Sequence, residues 1–355
     1  MSSIATTAFD KFWRMRSDHR WMSQLKECER KIEQPLKQLS PQQKDEIREY
    51  YAKFGFKKIN FDWHRYIYSV SGQFAPEFLP EDFFHGVLEN TYNNRNFYGA
   101  WEDKAFMPYI LDSVRFPEVI CFNANGYFYN SKREMISQCE AEKLVCDCGD
   151  AFAKPTLASG GGKGAYLVNN ENTDEVFKKL QKNFVVQKKI IQSSKTAAFN
   201  PSSVNTVKMV SFMFHGEVHI LTAIMRVGGE FAITDAAASG KGYFLGINDD
   251  GTMKDFGMSL FGKIRDKDYY GDSLKGRFIP QYKEMCEIVK NAHRLFPYFG
   301  FMSWDFCIND KEEVILIEYN TGYPVALVYQ MVTGPFMGDL TSAVLADAAK
   351  KYFGK

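Results

Sequence analysis

The residues most suited to chemistry surround a glycine-rich segment in the middle of the chain. Ser159–Gly164 reads SGGGKG between two apolar runs, and Lys154 lies on the run that enters it. Glycine tolerates positive φ and close backbone approach, so such a loop can point N–H groups at an anion. Lys154 would add the compensating positive charge. The pattern predicts two strands joined by a loop that binds a nucleotide phosphate.

Neighbouring residues exclude the two commonest phosphate loops. Walker A requires Ser or Thr after its lysine, but Lys163 is followed by Gly164. The dinucleotide fingerprint requires a helix after the glycines, whereas Ala165–Val168 is an apolar segment typical of a strand. Two interpretations stay open, which are a strand–loop–strand hairpin over phosphates and a plain glycine-rich turn.

A second candidate site lies on an acidic hairpin over residues 302–322. Asp305 interrupts an apolar strand, and Glu318 and Asn320 end the next one. If residues 310–313 form a four-residue turn, Asn309 opposes Val314 and Asp305 lies opposite Glu318, with Asn320 further along the same face. Carboxylates this close repel each other unless a cation lies between them, and hard oxygen ligands suit Mg²⁺ or Mn²⁺. The alternative is a solvated rim of carboxylates.

Composition excludes several classes of protein. The 355 residues carry a formal net charge of +1, so bulk electrostatics give no reason to expect binding to nucleic acid or acidic membranes. Seven scattered cysteines do not form a disulfide framework, and we expect reduced thiols. No apolar run approaches membrane-spanning length, and the N-terminus lacks the apolar core of a signal peptide. These features predict a cytoplasmic protein with no transmembrane segment.

The elements that would position these residues predict an α+β protein. Ser40, Pro41 and Gln43 form the signature of a capped helix start. Two long apolar runs joined at His215-Gly216 indicate a hairpin. We also expect helices over 104–111, 131–143, 173–183, 280–296 and 340–353, and strands over 118–122, 151–157, 184–191, 231–234, 243–247, 300–308 and 314–319.

The order of these motifs resembles the ATP-grasp superfamily. Lys104 after Asp103, Lys154 before the glycine loop, the FVVQKKII strand and the D…E-x-N hairpin occur in that family's order over roughly residues 100–350. NPSSVNTVKMVSF (200–212) and MRVGG (225–229) are similar to the sugar-transfer-associated ATP-grasp group, whose members tend to be associated with surface-polysaccharide synthesis. SVSGQFAPEFLPEDFF (69–84) resembles the same group.

The resemblance implies an ATP-grasp fold, with two α+β lobes that hold ATP between them. It divides the chain into an N-terminal helical and irregular region (1–100), an N-terminal lobe with the glycine loop (101–186) and a C-terminal lobe with the metal site (187–355).

The resemblance also implies roles for individual residues. Lys104 and Lys154 would hold α- and β-phosphate oxygens, and Arg226 and Lys208 would act at the γ-phosphate or the substrate carboxylate. The loop Ser159, Gly160, Gly161, Gly162, Lys163 and Gly164 would close over the phosphates, Gln187 and the backbone of Lys188 and Ile190 would contact the nucleotide near adenine, and Asp305, Glu318 and Asn320 would bind Mg²⁺ or Mn²⁺.

Some positions depart from the family's pattern. Ser303 stands where many ATP-grasp enzymes have an arginine, Lys208 stands where an arginine is expected, and Ala236 stands where an asparagine is expected. The Lys208 side chain lacks the bidentate geometry of arginine. A two-residue turn at 215–216 would also put Lys208 and Arg226 on opposite faces, so a bulge or a longer loop is needed to bring both to one site.

The function expected from these features is an ATP- and Mg²⁺-dependent carboxylate–amine ligase that forms an acyl phosphate, with surface-polysaccharide modification as one setting. The substrates would be a small-molecule carboxylate and an amine, with sugar acids and amino acids among the candidates, and a homodimer is one candidate assembly. Two alternatives stay open, which are a small-molecule or sugar kinase with Asp235 as base and a non-catalytic nucleotide-binding regulator.

Overall fold

Two antiparallel sheets form the framework of the computed structural model, which describes residues 19–157, 164–232, 234–235, 237, 240–322 and 324–354. Within this part of the chain, the first sheet contains β1 (Val119–Ala124), β2 (Tyr127–Asn130), β3 (Met135–Ile136), β4 (Ala151–Pro155), β5 (Tyr166–Val168) and β6 (Phe184–Lys188), in the order β3-β2-β1-β6-β4-β5. The second contains β7 (Thr206–Phe214), β8 (Glu217–Val227), β9 (Tyr243–Ile247), β10 (Met253–Met258), β11 (Ile264–Arg265), β12 (Phe301–Ile308) and β13 (Val314–Asn320), in the order β11-β10-β9-β8-β7-β12-β13.

Helices surround both sheets and complete the α+β architecture. They are α1 (19–31 in the described residues), α2 (Pro41–Ala52), α3 (Asp62–Ser71), α4 (Glu81–Phe83), α5 (Glu89–Tyr92), α6 (Tyr98–Trp101), α7 (Met107–Ile110), α8 (Gln138–Cys148), α9 (Thr173–Leu180), α10 (Ser194–Ala197), α11 (Tyr282–His293), α12 (Ala326–Thr333) and α13 (Thr341–Phe353). A π-helical segment, Phe84–Leu88, joins α4 to α5, and short 3₁₀ turns occupy Arg95–Phe97 and Gly338–Leu340.

Local capping decides where two of the helices begin. The Ser40 hydroxyl accepts the Gln43 N–H, and the Gln43 side chain accepts the Ser40 N–H, which confirms the predicted capping box of α2. The predicted helix over 131–143 is wrong at its start, because α8 begins at Gln138. The Asn130 side chain accepts the N–H groups of Lys132 and Glu134 instead, and this turn leads into β3.

The predicted strand over 231–234 is also wrong in its described residues. Ala232 donates its N–H to the carbonyl of Gly229, and Phe231 between them has φ of 59°. That backbone conformation turns the chain and cannot continue a pleated strand. Residue 233 lies outside the described residues.

The N-terminal region shares its core with the second sheet. Buried side chains of α1 to α4 and of the π-helical segment, among them Trp21, Trp63 and Phe84, pack with α12, α13 and the face of that sheet that carries Phe301. The opposite face packs on α11 through Met285 and other apolar residues. All seven cysteines are free thiols, as expected. In the described residues, no helix combines the length and apolar character that a bilayer crossing would need.

Asn93 connects the N-terminal region to the acidic hairpin. Its buried amide donates to the carbonyls of Phe301 at 2.8 Å and Thr321 at 2.6 Å and accepts the Phe301 N–H at 2.8 Å. The Glu102 carboxylate accepts both the N–H and the hydroxyl of the same Thr321, at 2.7 and 2.8 Å. The segment that directly follows Asn320 is therefore fixed from the N-terminal side of the chain.

We predict that Asn93→Ala lowers the free energy of unfolding by about 3 kcal/mol, because it leaves buried backbone groups of two segments without partners. Urea denaturation followed by circular dichroism measures the change. Asn94→Ala is the matched control, because the Asn94 side chain is exposed and caps only the N–H of Asn96. Equal losses in the two variants would contradict a specific clamp at Asn93.

Candidate nucleotide and metal site

A cavity of about 580 Å³ lies between the two sheets. This volume falls in the range of small-molecule sites, about 300–1,000 Å³. Side chains from both sheets and from the segment that connects them line the cavity, including Lys104, Phe152, Lys154, Leu167, Gln187, Lys188, Ile190, Thr206, Arg226, Asp235, Asp305, Ile317 and Glu318. The cavity therefore brings together most of the described residues that the sequence singles out for nucleotide and metal binding.

The acidic hairpin has the predicted pairing but a different turn. Asp305 is directly opposite Glu318, and Ser303 is opposite Asn320, which confirms the shared face. The predicted four-residue turn is wrong, because Ile308 rather than Asn309 pairs with Val314. A bulge at Ile317 shifts the register by one residue and restores the Asp305–Glu318 pair.

A second bulge brings the two predicted catalytic cations to one face. The register between β7 and β8 shifts at Leu221, so Ser211 pairs with Ile220 while Val210 pairs with Thr222. Arg226 consequently lies opposite Thr206, on the same face as Lys208 two residues further along β7. The expectation that a bulge is needed to bring Lys208 and Arg226 together is confirmed.

Asp305 is the centre of the charged cluster. It is 1% exposed, and its carboxylate contacts the Lys208 ammonium at 2.8 Å and the Arg226 guanidinium at 3.0 Å. Burial alone would raise the pKa of Asp305, but the charges of Arg226 and Lys208 outweigh it and hold the pKa below its ordinary value. Asp305 is therefore a carboxylate at neutral pH in an otherwise apolar strand.

Two residues that are not among the predicted site residues contact Arg226 and fix its position. Its Nε donates to the Thr206 hydroxyl at 3.1 Å, and its guanidinium contacts Asp235 at 2.7 Å. The Thr206 hydroxyl in turn donates to the same Asp235 carboxylate. Thr206 lies two residues before Lys208, a spacing that puts both on one face, and this signal was available in the sequence.

The predicted phosphate lysines approach the cluster from the first sheet. Lys104 is buried, with its Nζ 3.4 Å from Glu318 and its N–H bonded to the Thr156 carbonyl at the end of β4. Lys154 on β4 lines the same cavity. Burial lowers the pKa of Lys154, and the charge of Glu318 acts in the opposite direction. Both ammonium groups are thus brought toward carboxylates on the opposite wall.

The structure agrees only in part with the predicted contacts to adenine. Gln187 is buried and lines the cavity together with Lys188 and Ile190. The Lys188 N–H donates to the carbonyl of Glu118 at 2.8 Å, so it is not available to an adenine edge. In the described residues, the backbone of Ile190 makes no hydrogen bond. The Ile190 backbone and the Lys188 carbonyl remain the candidates for adenine contacts.

The glycine loop falls mostly outside the described residues. This applies to Ser159, Gly160, Gly161, Gly162 and Lys163. Gly164 has φ of 75° and a backbone position where a Cβ would approach Pro155 to 3.1 Å. Both observations favour glycine where the loop enters β5.

The two asparagines of the NPSSVNTV segment have a structural role. The Asn200 amide donates to the carbonyls of Gly228 and Gly229, each at 3.1 Å, and the Asn205 amide donates to the carbonyls of Thr196 and Asn200. A Cβ on Gly228 would lie 2.6 Å from the carbonyl of Thr234, so this close approach requires glycine. These contacts fix the segment that carries Thr206 against the end of β8 that carries Arg226.

The donor set fits a hard divalent cation. Asp305 and Glu318 contribute carboxylates, and Asn320, on the same face of β13, adds an amide oxygen. The Oδ2 atom of buried Asp305 has no hydrogen-bond partner in the described structure, although Arg226 is 3.0 Å away. No three His, Cys, Asp or Glu side chains of the described residues form a metal-sized cluster, so this candidate depends on the amide of Asn320.

A family comparison agrees with this geometry. Residues 176–344 match the model of the family described as sugar-transfer associated ATP-grasp. The match spans just under half of the chain, and this part of the chain is similar to that family. The match includes the second sheet with Lys208, Arg226 and the acidic hairpin, and it confirms the resemblance inferred from the motifs. The predicted α+β class is confirmed by the two antiparallel sheets and the helices around them. No curated protein sequence matches the chain.

Solved structures with similar folds include several ATP-grasp enzymes. The biotin carboxylase of Campylobacter jejuni is 14% identical with a TM-score of 0.44, over 72% of this chain and 46% of that one. The L-amino acid ligase of Bacillus licheniformis is 13% identical with a TM-score of 0.41, over 70% and 48%. The D-alanine-D-alanine ligase of Coxiella burnetii is 10% identical with a TM-score of 0.41, over 72% and 60%. The chain spans about half the length of the first two, and identities this low carry no substrate from one protein to another.

We predict that Lys154→Ala weakens binding of a non-hydrolysable ATP analogue by about 30-fold, because a charge-assisted contact to phosphate is lost in a partly dehydrated cavity. Isothermal titration calorimetry measures the affinity. Lys179→Ala is the matched control, because its side chain is exposed on α9, pairs with Glu175 and is not among the residues that line the cavity. An unchanged affinity in Lys154→Ala, or an equal loss in Lys179→Ala, would contradict the phosphate role.

Proposed function

We propose that the protein is an ATP- and Mg²⁺-dependent ligase that joins a small-molecule carboxylate to an amine through an acyl phosphate. The observation that carries this proposal is the convergence of opposite charges in one cavity. Lys104 and Lys154 approach from the first sheet, while Arg226, Asp305 and Glu318 approach from the second. Such an arrangement suits the transfer of a phosphoryl group, which depends on positioning and charge neutralisation more than on covalent chemistry by the protein.

The reaction would proceed in two displacements. A substrate carboxylate oxygen attacks the γ-phosphorus of ATP, the bond from that phosphorus to the β,γ-bridging oxygen breaks, and ADP leaves with the electron pair. The amine nitrogen then attacks the acyl carbon, the bond to the phosphate oxygen breaks, and inorganic phosphate leaves with the proton from nitrogen. Neither step needs a nucleophilic side chain.

The residues of the cavity have separate tasks in this scheme. Lys104 and Lys154 neutralise phosphate oxygens, and Arg226 with Lys208 orients the γ-phosphate or the substrate carboxylate. Asp305, Glu318 and Asn320 would hold Mg²⁺, which supplies charge neutralisation for the phosphates when bound. The backbone near Ile190 would contact adenine at the far end of the cavity.

The description of the matching family indicates which classes of substrate to test. Because that family is described as sugar-transfer associated, sugar acids belong with amino acids among the carboxylates to be tested. Modification of a surface polysaccharide is the setting that this association favours.

A small-molecule kinase is the second candidate, and one observation favours it. Asp235 lines the cavity beside Arg226, where a carboxylate could accept the proton of a substrate hydroxyl. The product of a kinase retains the phosphoryl group, whereas a ligase releases it as inorganic phosphate, so the two candidates differ in their products.

The test is an ATP turnover assay with Mg²⁺, pools of sugar acids and amino acids, and hydroxylamine as a trap. We predict release of ADP together with a hydroxamate that identifies the carboxylate. Glu318→Gln should abolish hydroxamate formation while it largely spares nucleotide binding, because it changes a proposed metal ligand and leaves the ammonium groups of Lys104 and Lys154 in the cavity. Glu313→Gln is its control, on the exposed turn of the same hairpin.

Each contrary outcome has a definite meaning. A phosphorylated product without hydroxamate would replace the ligase by the kinase. Near-normal turnover in Glu318→Gln would refute the metal assignment. ATP binding without ADP release in any pool would contradict the ligase for these substrate classes.

A further inference from the structure

Arg226 bridges two carboxylates in the described structure. Its guanidinium is 3.0 Å from Asp305 and 2.7 Å from Asp235, and its Nε donates to the Thr206 hydroxyl at 3.1 Å. The Thr206 hydroxyl donates to the same oxygen of Asp235 that Arg226 contacts. Thr206 and Asp235 thus form a holder that contacts Arg226 independently of Asp305.

A single oxygen of Asp305 cannot contact the Arg226 guanidinium and coordinate a cation equally well at the same time. The contact of Arg226 at 3.0 Å and the candidate metal position both involve this buried carboxylate, and a divalent cation brought to it would repel the guanidinium. In the described residues, Lys208 forms its ion pair with Asp305 alone, whereas Arg226 has a second carboxylate partner. Arg226 can therefore lose its contact with Asp305 and still be neutralised.

We infer that Thr206 and Asp235 are positioning residues that retain Arg226 in the cavity when Asp305 exchanges the guanidinium for a divalent cation. This inference rests on the proposed function, because it needs the metal site there. It assigns Asp235 a role that acts through Arg226, and it differs from a base, which would contact the substrate, and from a metal ligand, which would contact the cation.

The proposed exchange predicts how much the affinity for Mn²⁺ changes in two variants. In Asp235→Asn, Arg226 loses its alternative carboxylate and depends more on Asp305, so a cation must displace a more firmly held competitor. Mn²⁺ should consequently bind about fivefold more weakly to Asp235→Asn than to the wild type. In an Arg226→Ala background there is no competitor, and the same substitution should change Mn²⁺ affinity less than about twofold.

The experiment is this double-mutant cycle, measured without turnover. Mn²⁺ is titrated into each protein with an equimolar non-hydrolysable ATP analogue, and the electron paramagnetic resonance signal of free Mn²⁺ gives the bound fraction, with the analogue alone as blank. Thr206→Val should weaken Mn²⁺ binding in the same direction as Asp235→Asn, whereas Thr206→Ser should behave as the wild type because it keeps the hydroxyl.

A matched control tests whether the loss of an ion pair outside the cavity also changes Mn²⁺ affinity. Asp268 contacts Arg277 at 2.6 Å in the segment between β11 and α11, and it is not among the residues that line the cavity. Asp268→Asn removes a comparable pair and should leave Mn²⁺ affinity unchanged. Thermal denaturation of every variant confirms that the folded protein is compared.

The outcomes distinguish this inference from the proposed function. Equal weakening by Asp235→Asn in both backgrounds would show a through-space or direct effect of the carboxylate and would overturn the positioning role. A wild-type protein that binds no Mn²⁺ beyond the blank would refute the metal site of the proposed function and the inference with it. Weakening only where Arg226 is present would support both.

Discussion

The rest of the site depends on one buried carboxylate. Asp305 is 1% exposed in the middle of an apolar strand, and a charge in such a place must be paired or must bind a cation. Lys208 provides the pairing from the adjacent strand β7 and Arg226 from β8, one strand further away, and Glu318 lies directly opposite on β13. Each of these side chains can reach Asp305 only if it lies on the same face of the sheet. The charge at Asp305 therefore constrains the register of four strands.

Two single-residue bulges satisfy that constraint. Leu221 brings Arg226 to the face of Lys208, and Ile317 brings Glu318 opposite Asp305. The motif residues, their order and the pairing of Asp305 with Glu318 were all predictable, because residue types and strand periodicity carry that information. The positions of the bulges were not, because an extra residue in a strand leaves no mark in an apolar run such as Val314–Ile317. For the same reason the turn after Ile308 was predicted one residue too short.

Long-range contacts account for the other differences between sequence and structure. The packing of α1 to α4 on the second sheet, and the clamp of Asn93 and Glu102 on Thr321, join segments about 200 residues apart. Periodicity could predict that these helices have apolar faces but not which sheet they cover. Asp235 illustrates the same limit: its residue type indicated chemistry, while its partners Thr206 and Arg226 became apparent only from the fold.

We propose that Asp305 exchanges Arg226 for a metal ion while Asp235 retains the guanidinium. A crystal structure with Mn²⁺ and a non-hydrolysable ATP analogue, recorded at the manganese absorption edge, shows whether this exchange takes place. We expect an anomalous peak about 2 Å from carboxylate oxygens of Asp305 and Glu318, with Arg226 still paired to Asp235. Manganese bound only by phosphates, with Asp305 still paired to Arg226 and Lys208, would contradict it.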